Sequence, residues 1–272
     1  MIRVARGVEP ARLAKLRIEK LAALNLLGRE PTSDEIVGYR AVAEELWDAH
    51  HHKCCYCEQR VPKGFNDVEH YRPKCRADRR PGCTLTHGYW WLAFSWDNLL
   101  FACPACNRSG KNDLFPLLSG SVSLTAHTVP PGDERPLLLN PGALVNPVEH
   151  IEYVEKSQGN LTVQKYWWAR PRNASLYGSK TIEVCDLNRA ELRGLRNDHF
   201  DTVISPQIKA LNNALVSYRL DAVKREYLRA MGLLEPKNIY VGFTYDALRA
   251  SILSSKLKQF IGIGWPQPSQ IC

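Results

Sequence analysis

The residues best suited to chemistry are two Cys-x-x-Cys pairs, Cys54/Cys57 and Cys103/Cys106. Each pair can form a tight turn that directs both sulfurs to one side, so the two pairs can supply the four thiolates of a tetrahedral zinc site. Such a site holds structure and leaves no position for water. Redox chemistry is the competing interpretation, but it is typical of a thioredoxin-like βαβ context, and neither pair has one. We predict structural Zn²⁺.

Polar side chains between and just after these pairs provide a carboxylate, an imidazole and two carboxamides: Glu69, His70, Asn98 and Asn107. Oxygen ligands such as Glu69 and Asn107 suit Mg²⁺ or Mn²⁺ that keeps several waters. His70 can take a proton from water, because an imidazole titrates near neutral pH. Each residue alone is more often an ordinary core or surface residue. Their convergence within a zinc frame favours a catalytic site.

These motifs, in this order, resemble those of the ββα-metal nucleases of the HNH superfamily. In that superfamily a strand ends in an acid-His pair, a loop carries an Asn, and the closing helix carries a His or Asn ligand. The resemblance implies metal-dependent hydrolysis of nucleic-acid phosphodiester bonds, with DNA as the expected substrate. The alternative is a non-catalytic zinc-ribbon module that binds nucleic acid or protein.

The resemblance also assigns a role to each polar residue. His70 would be the general base, and Asn98 would brace the loop and orient His70. Glu69 and Asn107 would hold a catalytic Mg²⁺ or Mn²⁺, although the superfamily more often has Asp at the first position and many relatives have His at the second.

Basic residues near this site are candidates to contact the phosphates of the nucleic acid. A solvated loop is the alternative reading of the basic stretch that follows His70. We predict phosphate contacts from Arg72, Lys74 and Lys111.

A narrower resemblance extends over most of the chain. It rests on these strings: Glu69-His70-Tyr71-Arg72-Pro73-Lys74, Tyr89-Trp90-Trp91-Leu92-Ala93, Trp96-x-Asn98-Leu99, Phe115-Pro116-Leu117, Leu138-Leu139-Asn140-Pro141 and Ile182-x-x-Cys185-Asp186-Leu187-Asn188-Arg189. They are similar to the PtuB-like nuclease subunits of Septu-type anti-phage systems, some of which accompany retrons. The resemblance implies a bacterial defence effector controlled by a PtuA-like ATPase partner.

The predicted fold that must position these residues is α+β. Residues 51–120 would form a central zinc-framed ββα-metal HNH module. Residues 1–50 would form an N-terminal helical segment. Residues 121–272 would form a mostly helical C-terminal region that carries a β-hairpin and is a candidate to dock a partner.

Hydrophobic spacing predicts the elements of the flanking regions. Leucines recur at helical spacing over residues 10–27, and a capping box at Thr32-x-x-Glu35 predicts a second helix toward His50. Alternation from Ile151 to Trp168 predicts a hairpin that turns at residues 158–160. Helices are predicted from about Asn188, with one more over residues 246–260. The aromatic run of residues 89–96 is predicted to be core.

The distribution of charge and cysteine along the chain indicates where the candidate site lies. The chain has 272 residues and a formal charge of +8. Residues 51–120 carry ten basic and six acidic side chains and seven of the nine cysteines, so thiols and positive charge coincide. Apolar runs are far too short for a membrane span, and the N-terminus is charged where a signal peptide would be apolar. We expect a cytoplasmic bacterial protein without membrane contact.

Overall fold

The structure is a computed structural model, and we describe residues 1–64, 67–79, 87–158 and 164–271. The helices are α1 Ala11–Asn25, α2 Ala43–Ala49, α3 Leu176–Val184, α4 Ala190–His199, α5 Ser205–Val216, α6 Leu220–Gly232, α7 Val241–Ser251 and α8 Ser254–Ile261. The strands are β1 Asp67–His70, β2 Leu99–Ala102, β3 Ile151–Gln158 and β4 Gln164–Pro171. Two short π-helical segments cover Ala105–Lys111 and Phe200–Ile204.

The N-terminal region confirms one predicted helix and corrects the other. Helix α1 buries Leu13 and Leu24 and leaves Ile18 exposed, as the leucine spacing predicts. The helix predicted to start at Thr32 is wrong, because α2 begins only at Ala43. Gly38 has a φ of 106°, which interrupts a right-handed helix at this point.

The central sheet consists of β1 and β2, which pair antiparallel from Asp67 opposite Ala102 to His70 opposite Leu99. All eight residues are buried. The aromatic run that precedes β2 is buried, as predicted for core. A π-helical segment follows β2, and at its end the N–H of the next residue, Asn112, donates to the Asn107 carbonyl five residues earlier at 2.6 Å.

The C-terminal region contains the predicted hairpin. Strands β3 and β4 pair antiparallel from Ile151 opposite Pro171 to Gln158 opposite Gln164. The predicted turn at residues 158–160 lies partly outside the described residues. Residues 246–260 do not form one helix, because Ile252 is extended and separates α7 from α8. Among the described helices, none is both long and apolar enough to cross a membrane.

Candidate functional site

The two Cys-x-x-Cys pairs meet at one point. The Sγ atoms of Cys54, Cys57, Cys103 and Cys106 all lie within 4.8 Å of one another, and those of Cys57 and Cys103 are 3.8 Å apart. A tetrahedral zinc ion with Zn–S bonds of about 2.3 Å places its sulfurs roughly 3.8 Å apart. All four cysteines are buried. The predicted convergence is confirmed, and the donor set fits zinc.

Each pair is held by hydrogen bonds of its own chain segment. The Glu58 N–H donates to the Cys54 carbonyl at 3.0 Å, and the Asn107 N–H donates to the Cys103 carbonyl at 3.0 Å. The Cys55 N–H donates to the Phe101 carbonyl of β2 at 2.9 Å, which joins the first pair to the sheet. Cys55 is buried but is not one of the four converging thiols.

His70 lies at the end of β1 with a fixed ring orientation. Its Nε2 lies 3.0 Å from the Ala93 carbonyl oxygen, and its ring meets the edge of Tyr39 at a centroid distance of 4.5 Å. Because a carbonyl only accepts, Nε2 carries the hydrogen, and Nδ1 keeps its lone pair in the neutral ring. Burial lowers the pKa of His70 to about 3, so the imidazole is neutral at pH 7.

Asn98 clamps the chain that follows His70. Its Oδ1 accepts from the Arg72 N–H at 2.7 Å, and its Nδ2 donates to the Arg72 carbonyl at 3.0 Å and the Leu92 carbonyl at 3.2 Å. Leu92 precedes Ala93, whose carbonyl contacts His70. Asn98 therefore links the loop after β1 to the segment that orients the imidazole.

Glu69 is held in a buried ion pair with Lys111. The Lys111 Nζ lies 2.7 Å from Glu69 Oε1 and donates to the His70 carbonyl at 2.9 Å. The Tyr56 hydroxyl donates to the same Oε1 at 3.2 Å. Burial raises the pKa of Glu69, and the Lys111 ammonium opposes this effect. Among the described residues, we find no donor that hydrogen-bonds to the other carboxylate oxygen, Glu69 Oε2.

Asn107 is half-buried in the π-helical segment directly after Cys106. Its side chain makes no hydrogen bond to any described residue, so its amide oxygen is available to a ligand. Next to it, Arg108 forms a bidentate ion pair with Asp67 at 2.6 and 2.9 Å. The oxygens of Glu69 and Asn107 match the chemistry of a hard divalent cation, but Lys111 already compensates the Glu69 charge.

The three cations predicted to contact phosphate occupy different environments. Arg72 is buried and forms an ion pair with Glu134 at 2.7 Å, and Lys111 is fully buried against Glu69. Phosphate contact by Lys111 would require its ion pair to open. Arg72 pairs with Glu134 through Nε and lines the cavity beside Asn98, so its other guanidinium donors can serve a ligand while the pair stays closed. Lys74 donates to the Ser33 hydroxyl at 2.6 Å and is partly exposed. Arg80, at the end of the same basic stretch, lies outside the described residues.

A cavity of about 860 Å³ lies beside Asn98. Tyr71, Trp91 and Leu138 are among its mostly apolar lining residues. The residues that line it do not include Glu69, His70 or Asn107. Of the four predicted polar residues, Asn98 alone borders this cavity.

One residue near the thiols was not predicted. Arg189 Nη1 lies 3.4 Å from Cys106 Sγ, although the two residues are 83 positions apart. The sequence contained no local signal for this contact, because neither spacing nor composition pairs an arginine at the start of a helix with a distant thiol.

The site described above is a four-cysteine cluster beside a two-stranded sheet whose first strand ends in a Glu-His pair. The chain is similar to the Septu protein PtuB of Bacillus mycoides (strain KBAB4), with 34% identity over 202 residues. This match covers 71% of the chain and 64% of that relative, and it confirms the predicted PtuB-like resemblance. The chain therefore matches somewhat less than two thirds of the relative's length.

A second match is to the Septu protein PtuA of the same organism, with 29% identity over 145 residues. It covers 53% of the chain and 18% of that protein. No family model matches the chain. No solved structure matches it either.

Proposed function

We propose that this chain is a metal-dependent HNH endonuclease that hydrolyses phosphodiester bonds, with DNA as its substrate. The observation that carries the proposal is the placement of His70 at the end of β1, next to Glu69 and with Nε2 bound to the Ala93 carbonyl at 3.0 Å. This arrangement leaves the Nδ1 lone pair as the proton acceptor of a neutral ring. The burial that lowers the pKa of His70 to about 3 also weakens this base, which favours the second candidate below.

His70 acts as the general base that takes a proton from the attacking water. Asn98 keeps the ring in place through its bonds to Arg72 and Leu92. Lys111 fixes the strand end through the His70 carbonyl. These contacts hold the base in a fixed orientation. A catalytic group that is already oriented lowers the activation barrier, because its ordering does not have to occur during the reaction.

Glu69 Oε2 and the Asn107 amide oxygen would hold Mg²⁺ or Mn²⁺. When bound, such an ion supplies Lewis-acid stabilisation of the negative charge on the phosphate and the leaving oxygen. The four cysteines would hold a structural Zn²⁺, which contributes to folding free energy. Lys74 is the remaining partly exposed candidate for a phosphate contact.

We propose further that the nuclease is the effector of a bacterial anti-phage system and acts with a PtuA-like ATPase. The similarity to PtuB over most of the chain supports this placement, and the weaker similarity to a part of PtuA points to the same system. The mostly helical C-terminal region is the candidate docking surface.

The test is a cleavage assay on the full chain, alone and with a PtuA-like protein from the same host. Plasmid, single-stranded DNA and RNA are incubated in Mg²⁺ or Mn²⁺. The His70→Ala variant should lose about 10²- to 10⁴-fold in rate, which is the usual contribution of a general base. His127→Ala is the matched control, because His127 is an exposed histidine that is not one of the predicted site residues. Undiminished cleavage by His70→Ala would sink the base assignment.

A non-catalytic zinc-ribbon module is the second candidate. The Glu69–Lys111 ion pair favours it, because an ammonium at 2.7 Å competes with a metal ion for the carboxylate. This candidate predicts nucleic-acid or protein binding without cleavage in any of the mixtures. It also predicts that His70→Ala leaves that binding unchanged.

A further inference from the structure

The C-terminal region makes polar contacts with the second Cys-x-x-Cys pair and with the residue that follows the first pair. Arg189, directly before α4, donates from Nη1 to Cys106 Sγ at 3.4 Å and to the Asp186 carbonyl at 3.2 Å. Near the first pair, the Glu58 carboxylate accepts from the Val241 N–H at 2.8 Å and the Gly242 N–H at 3.3 Å, at the start of α7. The thiol cluster therefore lies between the sheet and the C-terminal helices.

Backbone packing holds Arg189 in register with the second pair. Gly110, in the π-helical segment after Cys106, lies so close to the end of α3 that a Cβ there would be 3.1 Å from the Val184 carbonyl oxygen and 3.3 Å from the Cys185 carbonyl carbon. Arg189 follows this corner by four residues. The guanidinium position is thus set by two packed segments.

Arg189 has no carboxylate at ion-pair distance among the described residues, so the thiol cluster is its charge partner. Its Nε is buried and makes no hydrogen bond to any described residue. A Zn²⁺ ion with four thiolates carries a formal charge of about −2, which is unfavourable when buried without a cation nearby. A guanidinium presents several donors in a fixed plane and suits this role.

We propose that Arg189 is a positioning residue of the zinc site: it compensates the thiolate charge through Cys106 and joins the C-terminal helices to the metal. This inference rests on the zinc assignment within the proposed function and not on nuclease activity. Groups that contact metal ligands from outside commonly change metal affinity by about 10- to 100-fold when removed. The zinc site would then connect residues 51–120 to the C-terminal helices as well as stabilising residues 51–120 themselves.

The test measures metal binding by the full chain. Zinc transfer to a chromophoric chelator should be about tenfold faster or more in Arg189→Gln than in the parent. In cobalt-loaded protein, Arg189→Gln should shift the thiolate-to-metal charge-transfer band to lower energy, because an uncompensated thiolate gives up its electron more readily. Arg189→Lys keeps the charge and should recover part of both effects.

Arg193→Gln is the matched control, since Arg193 lies one turn further along α4, over the Trp168 ring at 4.3 Å. It should match the parent in transfer rate and cobalt spectrum. If Arg189→Gln does not fold, Arg189→Met takes its place, because methionine also removes the charge but keeps an unbranched apolar chain in the same space: an unshifted band and parental transfer rate in that variant overturn the proposal. Equal behaviour of parent and Arg189→Gln does the same.

The outcomes separate this proposal from the others. If the parent loads neither zinc nor cobalt, the zinc assignment and the role of Arg189 both fail. If the parent loads metal and only the nuclease assay is negative, the nuclease proposal fails and the role of Arg189 stands or falls on the spectra.

Discussion

The ion pair between the Glu69 carboxylate and the Lys111 ammonium is the contact on which the Glu-His pair of the candidate site depends most. Both side chains are almost fully buried, and their atoms lie 2.7 Å apart. Lys111 also holds the His70 carbonyl, so one cation fixes both residues of the Glu-His pair. A buried pair of this kind is most sensitive to the removal of one partner, because the other charge is then left uncompensated.

We predict that Lys111→Met lowers the free energy of unfolding by about 3–5 kcal/mol, since Glu69 loses its buried partner. Urea unfolding measures the change. Adding Glu69→Gln to this variant should restore part of the lost stability, because the uncompensated carboxylate is then gone.

Lys165→Met is the matched control, since the Lys165–Glu155 pair has a similar distance of 3.0 Å but is solvent-exposed. It should change stability by no more than about 1 kcal/mol. Equal effects of the Lys111 and Lys165 variants would contradict the importance of burial.

The π-helical segment Ala105–Lys111 is the element on which the site depends most. It begins three residues after the end of β2 and carries Cys106, Asn107 and Lys111, so it supplies a thiol, a candidate ligand and the cation that pairs with Glu69. Gly110 lets this segment approach the end of α3. A change in the position of this one segment would therefore move all three functional groups together.

We predict that Gly110→Ala lowers the free energy of unfolding by about 1–3 kcal/mol, because the new Cβ crowds the Val184 carbonyl and Cys185. The same variant should speed zinc release, since the segment carries Cys106. Thermal unfolding and chelator transfer measure the two effects.

Gly194→Ala, in the interior of α4, is the control. Its Cβ would meet nothing within 4 Å, so alanine should be neutral or stabilising by up to about 1 kcal/mol. A Gly110 variant that behaves like the Gly194 variant would show that the close approach to α3 is not required.

The molecule as a whole combines buried histidines with a buried thiol cluster. Burial lowers the pKa values of His50 and His70 to about 3. In an unfolded chain these residues titrate near pH 6.5. Between roughly pH 6.5 and 3 the unfolded chain therefore binds protons that the folded chain does not, and stability falls as the pH falls.

We predict that His50→Gln weakens this acid sensitivity. Between pH 7.5 and 5.5 the variant should lose about 1 kcal/mol less unfolding free energy than the parent, as one proton fewer is taken up on unfolding. Urea unfolding at both pH values measures the difference, with zinc content checked at each.

His50→Gln must be compared with the parent, because a second buried group also titrates between pH 7.5 and 5.5. Burial raises the pKa of Asp246 to about 6. As the pH falls, the folded state protonates this carboxyl at a higher pH than the unfolded chain does. Its protonation therefore stabilises the fold on acidification, opposite to the effect of the histidines. His127→Ala, which replaces an exposed histidine, is the control for the substitution itself. An identical drop for His50→Gln and the parent would show that His50 does not contribute.

Local patterns predicted several features correctly because each is determined over a few residues. The spacing of Cys54 with Cys57 and of Cys103 with Cys106 sets a turn whose sulfurs share a side, and the four meet in the structure. Alternation predicted the hairpin of β3 and β4, and leucine spacing predicted α1. The capping box at Thr32 predicted a helix start that is wrong, because the left-handed conformation of Gly38 interrupts any helix before α2.

The sequence by itself determined which residue types are available to the site and that four thiols can share one metal. Only the tertiary structure decided which charges are paired: Arg72 with Glu134, Lys111 with Glu69, and Arg189 beside Cys106. These partners are 42 to 83 positions apart, so chain packing sets their distances. Of the cations that the sequence offers for phosphate contact, Arg72 and Lys111 are thus already paired with carboxylates in the folded chain.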